Sequence, residues 1–132
     1  MAESALFPIL RDGKWGYMDR AGKVVIEPQV DWAWHFCEGL ACVQIGRKWG
    51  YINEDGEIVI GLDFDLAKDF SEGLAAVRIG GKWGFIDSDG TLVIEPIFDW
   101  ARNFSDGLAM VKVGDGYGYV DKTGAFVWEP TT

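Results

Sequence analysis

Short runs of alternating apolar and polar side chains recur along the chain, separated by turns that carry glycine. In Leu40-Ala-Cys-Val-Gln-Ile45, Ala41, Val43 and Ile45 share one side and Gln44 lies on the other; Leu74–Ile79 and Leu108–Val113 repeat the pattern with Arg78 and Lys112 at the polar place. A period of two predicts a β-strand with one face buried and the other partly wet. The turns Gly46-Arg-Lys48 and Gly80-Gly-Lys82 lead into Trp49–Asn53 and Trp83–Asp87, which predicts a hairpin. Asn53-Glu-Asp-Gly56, Asp87-Ser-Asp-Gly90 and Asp121-Lys-Thr-Gly124 start with an Asx residue and put glycine where φ must be positive, so a third strand follows at Glu57–Ile60 or Thr91–Glu95. That strand is apolar on both faces, Ile58 and Ile60 against Val59, which predicts a central place with cover on both sides. Glu27-Pro28 and Glu95-Pro96 are expected to end its ladder, since proline has no N–H to donate.

Between the third strand and the next first strand lies a connector. Asp31, Asp65 and Asp99 stand where an N-cap would, and the pairs Trp32/Phe36, Leu66/Phe70 and Trp100/Phe104 have the i, i+4 spacing of one helix face. Gly39, Gly73 and Gly107 then suit a left-handed C′ position. The connector is therefore expected to form a helix of one or two turns.

The whole pattern repeats. Trp15-Gly16, Trp49-Gly50, Trp83-Gly84 and Tyr117-Gly118 are each 34 residues apart, and the same period carries Gly22, Gly56, Gly90 and Gly124. A period of 34 invites a helical tetratricopeptide reading, but Trp49 to Gly81 holds six glycines, each costing a helix interior about 1 kcal/mol relative to alanine. The expectation is an all-β domain over residues 1–132: four three-stranded antiparallel meanders, about 12 short strands, in units of roughly 5–30, 39–64, 73–98 and 107–130. Short helical connectors would join them in a solenoid-like array, open or curled into a ring. Three strands per unit, against four in a propeller blade, lean towards the open form.

The segments Lys48-Trp-Gly-Tyr-Ile-Asn, Gly56 and Ile58-Val-Ile, and Lys82-Trp-Gly-Phe-Ile-Asp, Gly90 and Leu92-Val-Ile-Glu-Pro, with Glu38-Gly-Leu-Ala and Glu72-Gly-Leu-Ala between them, resemble bacterial WG repeats over nearly the full chain. The resemblance implies an all-β repeat protein, often an accessory region, and transfers no active site. Tyr117 in place of the Trp and Gly116 in place of the Lys mark an atypical last unit, and Gly61-Leu62 replaces Glu-Pro.

Composition narrows the partners. Twelve Lys and Arg against 21 Asp and Glu leave a net charge of −9, which argues against nucleic acid and anionic membranes. The start, Met1 to Leu10, has an acid where an export signal would be basic, and no run approaches the roughly 18 apolar residues of a membrane helix. With two cysteines there is no disulfide framework, so a reducing cytoplasm is expected.

Chemistry should betray itself where the units differ. His35, Cys37 and Cys42, with Glu38, are the residue types of a zinc site, but no second ligand pair of zinc-finger spacing exists. A Cys37 nucleophile activated by His35 would be the enzyme reading, and no third group is marked out to orient the histidine. The Asp87 and Asn53 turns open like calcium loops, yet return at once to an apolar strand. The Trp stripe, with Tyr17, Tyr51, Phe85 or Tyr119 two residues on, is similar to the aromatic ladders of choline-binding hairpin repeats; inter-repeat core is the simpler reading. Trp34, Lys68 and Arg102 share one connector position with unrelated side chains, so packing does not dictate it. The expected function is a non-catalytic module, without cofactor or metal, that presents Trp34, His35, Lys68 and Arg102 to a protein or peptide. The alternatives are a small-ligand receptor for a sugar, a choline-like cation or a nucleotide-derived molecule, and a Cys37-dependent enzyme.

Overall fold

The computed structural model describes residues 5–131. Its first sheet holds β1 (Phe7–Arg11), β2 (Lys14–Met18) and β3 (Val24–Val30). The second holds β4 (Trp32–Cys37), β5 (Leu40–Ile45), β6 (Lys48–Ile52) and β7 (Ile58–Phe64), and the third β8 (Leu66–Ala67), β9 (Leu74–Ile79), β10 (Lys82–Asp87) and β11 (Leu92–Phe98). The fourth holds β12 (Trp100–Ala101), β13 (Ala109–Val113), β14 (Gly116–Val120) and β15 (Phe126–Thr131). Every sheet is an antiparallel meander.

Among the described residues there is no helix, so the helical connectors are corrected to strands. Each connector pairs with the first strand after it, giving three of the four sheets a fourth strand and removing the strand-count argument against a blade-like unit. The turn explains why. Cys37 pairs with Leu40, and both residues between them are left-handed, Glu38 at φ 55° and Gly39 at φ 81°. Two successive positive φ angles make a type I′ hairpin, whose twist matches the flanking strands. Connector N–H groups then find carbonyls across the hairpin, Lys68 on Ala76 and Arg102 on Met110, both at 2.9 Å.

The third strand is also corrected. It lies at the edge of its sheet, not in the centre, and Val25, Ile58, Val59 and Val93 are exposed. It does not stop at proline either: β3 and β11 run through Pro28 and Pro96 to Val30 and Phe98 by way of a bulge, where an edge strand tolerates a missing N–H. That bulge accounts for the Trp-Gly pair. A Cβ on Gly16 would lie 2.4 Å from the Ile26 carbonyl oxygen, and one on Gly84 would lie 2.5 Å from that of Ile94. The second-strand glycine is required because the bulged third strand crosses directly against it.

The sheets stack face to face in chain order, with three apolar cores between neighbours. Tyr17 and Ile26 of the first sheet meet Ala33, Ala41 and Val43 of the second; Trp49, Tyr51 and Phe64 meet Phe70, Ala75 and Val77; Trp83, Phe85 and Phe98 meet Ala101, Phe104 and Val111. In the second and third sheets the inner strands are thus buried on both faces, where one partly wet face was expected: Ala41, Cys42 and Val43 are all buried, whereas β14 of the last sheet exposes Tyr117 and Tyr119. The Trp stripe is core at Trp49 and Trp83, which are 8% and 7% exposed. One ring pair recurs at every junction, Tyr17–Phe36, Tyr51–Phe70 and Phe85–Phe104, at 4.8 to 4.9 Å and edge to face.

Carboxylates tie one layer to the next. Asp31, expected as a helix cap, accepts from Lys14 Nζ of the first sheet and from the Gly46 N–H of the second, both at 2.6 Å. Asp65 repeats this with Lys48 and Gly80, and Asp99 with Lys82 and Gly114. Glu38 receives the N–H groups of Glu72 and Gly73 in the next hairpin turn, and Glu72 receives those of Asp106 and Gly107. The Asx turns form as expected; Asn53 Oδ1 accepts from the N–H groups of Asp55 and Glu57, and Gly56 has φ 84°.

Two outcomes follow from this packing. Gly84→Ala should lower stability by about 2 kcal/mol or more in urea unfolding, since the added methyl meets backbone that cannot move without breaking the bulge. The lysine hydrogen bonds, followed by the glycine N–H groups, hold the carboxyls of Asp31, Asp65 and Asp99 below the usual range. A depressed folded-state pKa contributes stability above the unfolded value, about 3.9, that is lost as pH falls through the folded value. The thermal midpoint should therefore fall on acidification below about pH 4. The three ties predict that the fall shrinks when Asp31, Asp65 and Asp99 are all changed to Asn.

Candidate functional site

The connectors bring the sequence-predicted residues to one edge of the stack. β4, β8 and β12 are the outer strands on the side opposite the third strands, and clefts open beside each. One, of about 240 Å³, crosses three sheets: Trp34 comes from the second, Ala67, Lys68 and Asp69 from the third, and Asn103 from the fourth. A second, of about 290 Å³, is lined by Pro8, Trp15, Trp32, Ala33, Trp34 and His35. Arg102 lines a third with Asn103, Met110 and Tyr119, and His35 a fourth with Leu6, Glu38 and Glu54.

The four predicted residues are not equivalent there. Trp34 is 44% exposed and leans edge to face on Trp32 at 5.5 Å, and Trp32 meets Trp15 at 5.2 Å. His35 is exposed beside them. Lys68 corrects the expectation that packing leaves its position free. Its ammonium lies 5.2 Å from the Trp83 ring centre and 5.1 Å from that of Trp100, and donates to the Ala101 carbonyl at 2.8 Å. Burial, then the neighbouring Arg102, lowers its pKa. Arg102 stacks over the outer side of Trp100 at 5.6 Å.

Asp69 is the residue that sequence reasoning passed over. It is half-buried, and burial raises its carboxyl above the usual range against the opposing hydrogen bond with Cys37 and the nearby His35. The structure thus gathers His35, Cys37 and Asp69. An acid at the repeat position that holds His35 in the preceding unit and Asn103 in the next was the signal available. Cys42 turns away from this group, buried in the core with its thiol directed at the Ala67 carbonyl, 3.4 Å away. Among the described residues no group of three or more His, Cys, Asp and Glu side chains is placed to hold a metal ion. Burial first, then the Asp69 charge and its hydrogen bond, pushes the Cys37 thiol up. A nucleophilic cysteine needs the opposite shift.

The family model described as WG containing repeat matches residues 15–49, 49–83 and 83–117. The chain belongs to the WG repeat family. No curated protein matches this WG-repeat chain. Among solved structures, a hemopexin fold protein, CP4 from cow pea, is similar at 15% identity over 98% of this chain and 89% of its own, with a TM-score of 0.37. A 2S albumin seed protein from Dolichos is similar at 18% identity over 99% and 85%, with a TM-score of 0.36. Neither likeness is strong enough to enter the reading of this WG array.

With its thiol pushed up by burial and by Asp69, Cys37 should react with iodoacetamide more slowly than free cysteine at about pH 7.5, with the rate rising as pH rises. Mass spectrometry of the native protein should find Cys42 unmodified until it unfolds.

Proposed function

We propose that the chain is a non-catalytic binding module, a solenoid-like array that offers its connector edge to a protein or peptide in a reducing cytoplasm. The observation that carries this reading is the cleft spanning Trp34, Lys68, Asp69 and Asn103, drawn from three consecutive sheets. An extended segment laid along that edge would meet the same connector position once per unit, each time with a different side chain. A negatively charged body suits a basic segment.

Selection from a displayed peptide library, followed by calorimetry, tests the assignment. Trp34→Ala and Arg102→Ala should each weaken the selected peptides at least about tenfold, as exposed Trp and Arg anchors do, with thermal midpoints unchanged. Val59→Ser and Val93→Ser on the opposite edge should leave binding intact. Peptides that bind all four variants equally, or a library that yields none above background, would overturn the choice of edge. A small-ligand reading keeps one observation in its favour, the cleft walled by Trp15, Trp32 and Trp34.

A further inference from the structure

The chain contains its own example of an ammonium held between two tryptophans. At the junction of the third and fourth sheets, Lys68 Nζ lies between Trp83 and Trp100 and donates to the Ala101 carbonyl. Two repeat periods earlier, at the junction of the first and second sheets, the same three positions are Trp15, Trp32 and Ala33. The backbone register matches throughout. Trp15 pairs with Val30 as Trp83 pairs with Phe98, Trp32 with Gln44 as Trp100 with Lys112, and Ala33 with Val43 as Ala101 with Val111.

At the middle junction the tryptophan pair and the cation are absent together. There Leu66 replaces the second tryptophan, and the residue at the position of Lys68 is the half-exposed Trp34. A tryptophan pair accompanies a lysine, and a Trp–Leu pair accompanies an indole. The first junction has the tryptophan pair, yet among the described residues no Lys or Arg lies over Trp15, Trp32 or Trp34. The two rings instead rest edge to face at 5.2 Å, beside an open cleft of about 290 Å³.

We propose that Trp15, Trp32 and the Ala33 carbonyl receive the lysine side chain of a bound peptide. The ammonium enters between the rings as Lys68 does, exchanging one edge-to-face contact for two cation–π contacts and a charge-assisted hydrogen bond. The net charge of −9 favours such a cationic segment. A primary ammonium is specified over a quaternary one, since only the former can donate to a carbonyl. This deepens the peptide-binding reading by naming the side chain taken at one end of the connector edge.

The test is a titration followed by the indole N–H resonances of the full chain, with acetyl-Gly-Lys-Gly-amide as the probe. Saturable shifts should appear at Trp15 and Trp32 and not at Trp49 or Trp83. The same peptide with norleucine should give none, and trimethyl-lysine should bind about threefold weaker or worse, having lost its donor. Trp32→Leu, which copies the natural Leu66 arrangement, should weaken the lysine peptide at least about fivefold while the Trp49 and Trp83 signals stay in place. Trp32→Phe should retain binding and serves as the folded comparison if the leucine variant disturbs those signals. Equal response to norleucine, undiminished binding by Trp32→Leu in a folded protein, or tighter binding of trimethyl-lysine would overturn the assignment. Butylammonium binding as tightly as the peptide would overturn the peptide source. Failure here with intact Trp34 and Arg102 dependence in the library experiment would remove the lysine pocket alone.

Discussion

No sheet in this protein can bury both of its apolar faces by itself. A four-stranded meander of two- to seven-residue strands has little interior of its own, and its inner strands carry apolar side chains. The only route out of water is against the next sheet, so each layer's stability lies in its neighbours. The recurring ring pair from Tyr17–Phe36 to Phe85–Phe104 packs into each interface, and the turn glycines Gly56, Gly90 and Gly124 close over Ile26, Ile60 and Ile94 of the preceding layer.

Apolar burial has no direction, and the polar ties supply one. A carboxylate in one unit receives N–H groups of the corresponding turn in the next, as Glu38 does for Glu72 and Gly73, so a slip of one sheet over another would strand both partners. These ties are exposed and each is individually weak. Their contribution is to the register of stacking. Lys68 adds a tie of the same kind at a junction that also has its carboxylates, with aromatic faces and a carbonyl in place of an acid.

Much of this was legible in the residues. The period, the first and second strands, the Asx turns and the burial of Trp49 and Trp83 all follow from local pattern. The connectors did not, for a specific reason. Ala33 and Phe36 both face the core although they are three apart, because the strand bulges between them. A bulge converts the strand period of two into an odd spacing, and a spacing of three or four reads as a helix. Glu38-Gly39 likewise supports a helix end or a type I′ turn, and the choice depends on whether a strand waits across the turn. The third strand was misplaced because continuous hydrophobicity reads as cover on both faces, whereas here it belongs to an edge with one face in solvent.

Function divides along the same line. The candidate residues Trp34, His35, Lys68 and Arg102 stood out as departures from the repeat, which local comparison alone reveals. That Lys68 is held by two rings while Trp34 stays open, and that Asp69 meets Cys37 and His35, depends on which side chains the neighbouring sheets bring within reach. The amino-acid sequence by itself determined the unit, its strands and its turns, since those rest on backbone preferences and side-chain period within a few residues. Only the tertiary structure decided the edge, the clefts and the partners of each charge, because those depend on contacts between layers 17 to 50 residues apart in the chain.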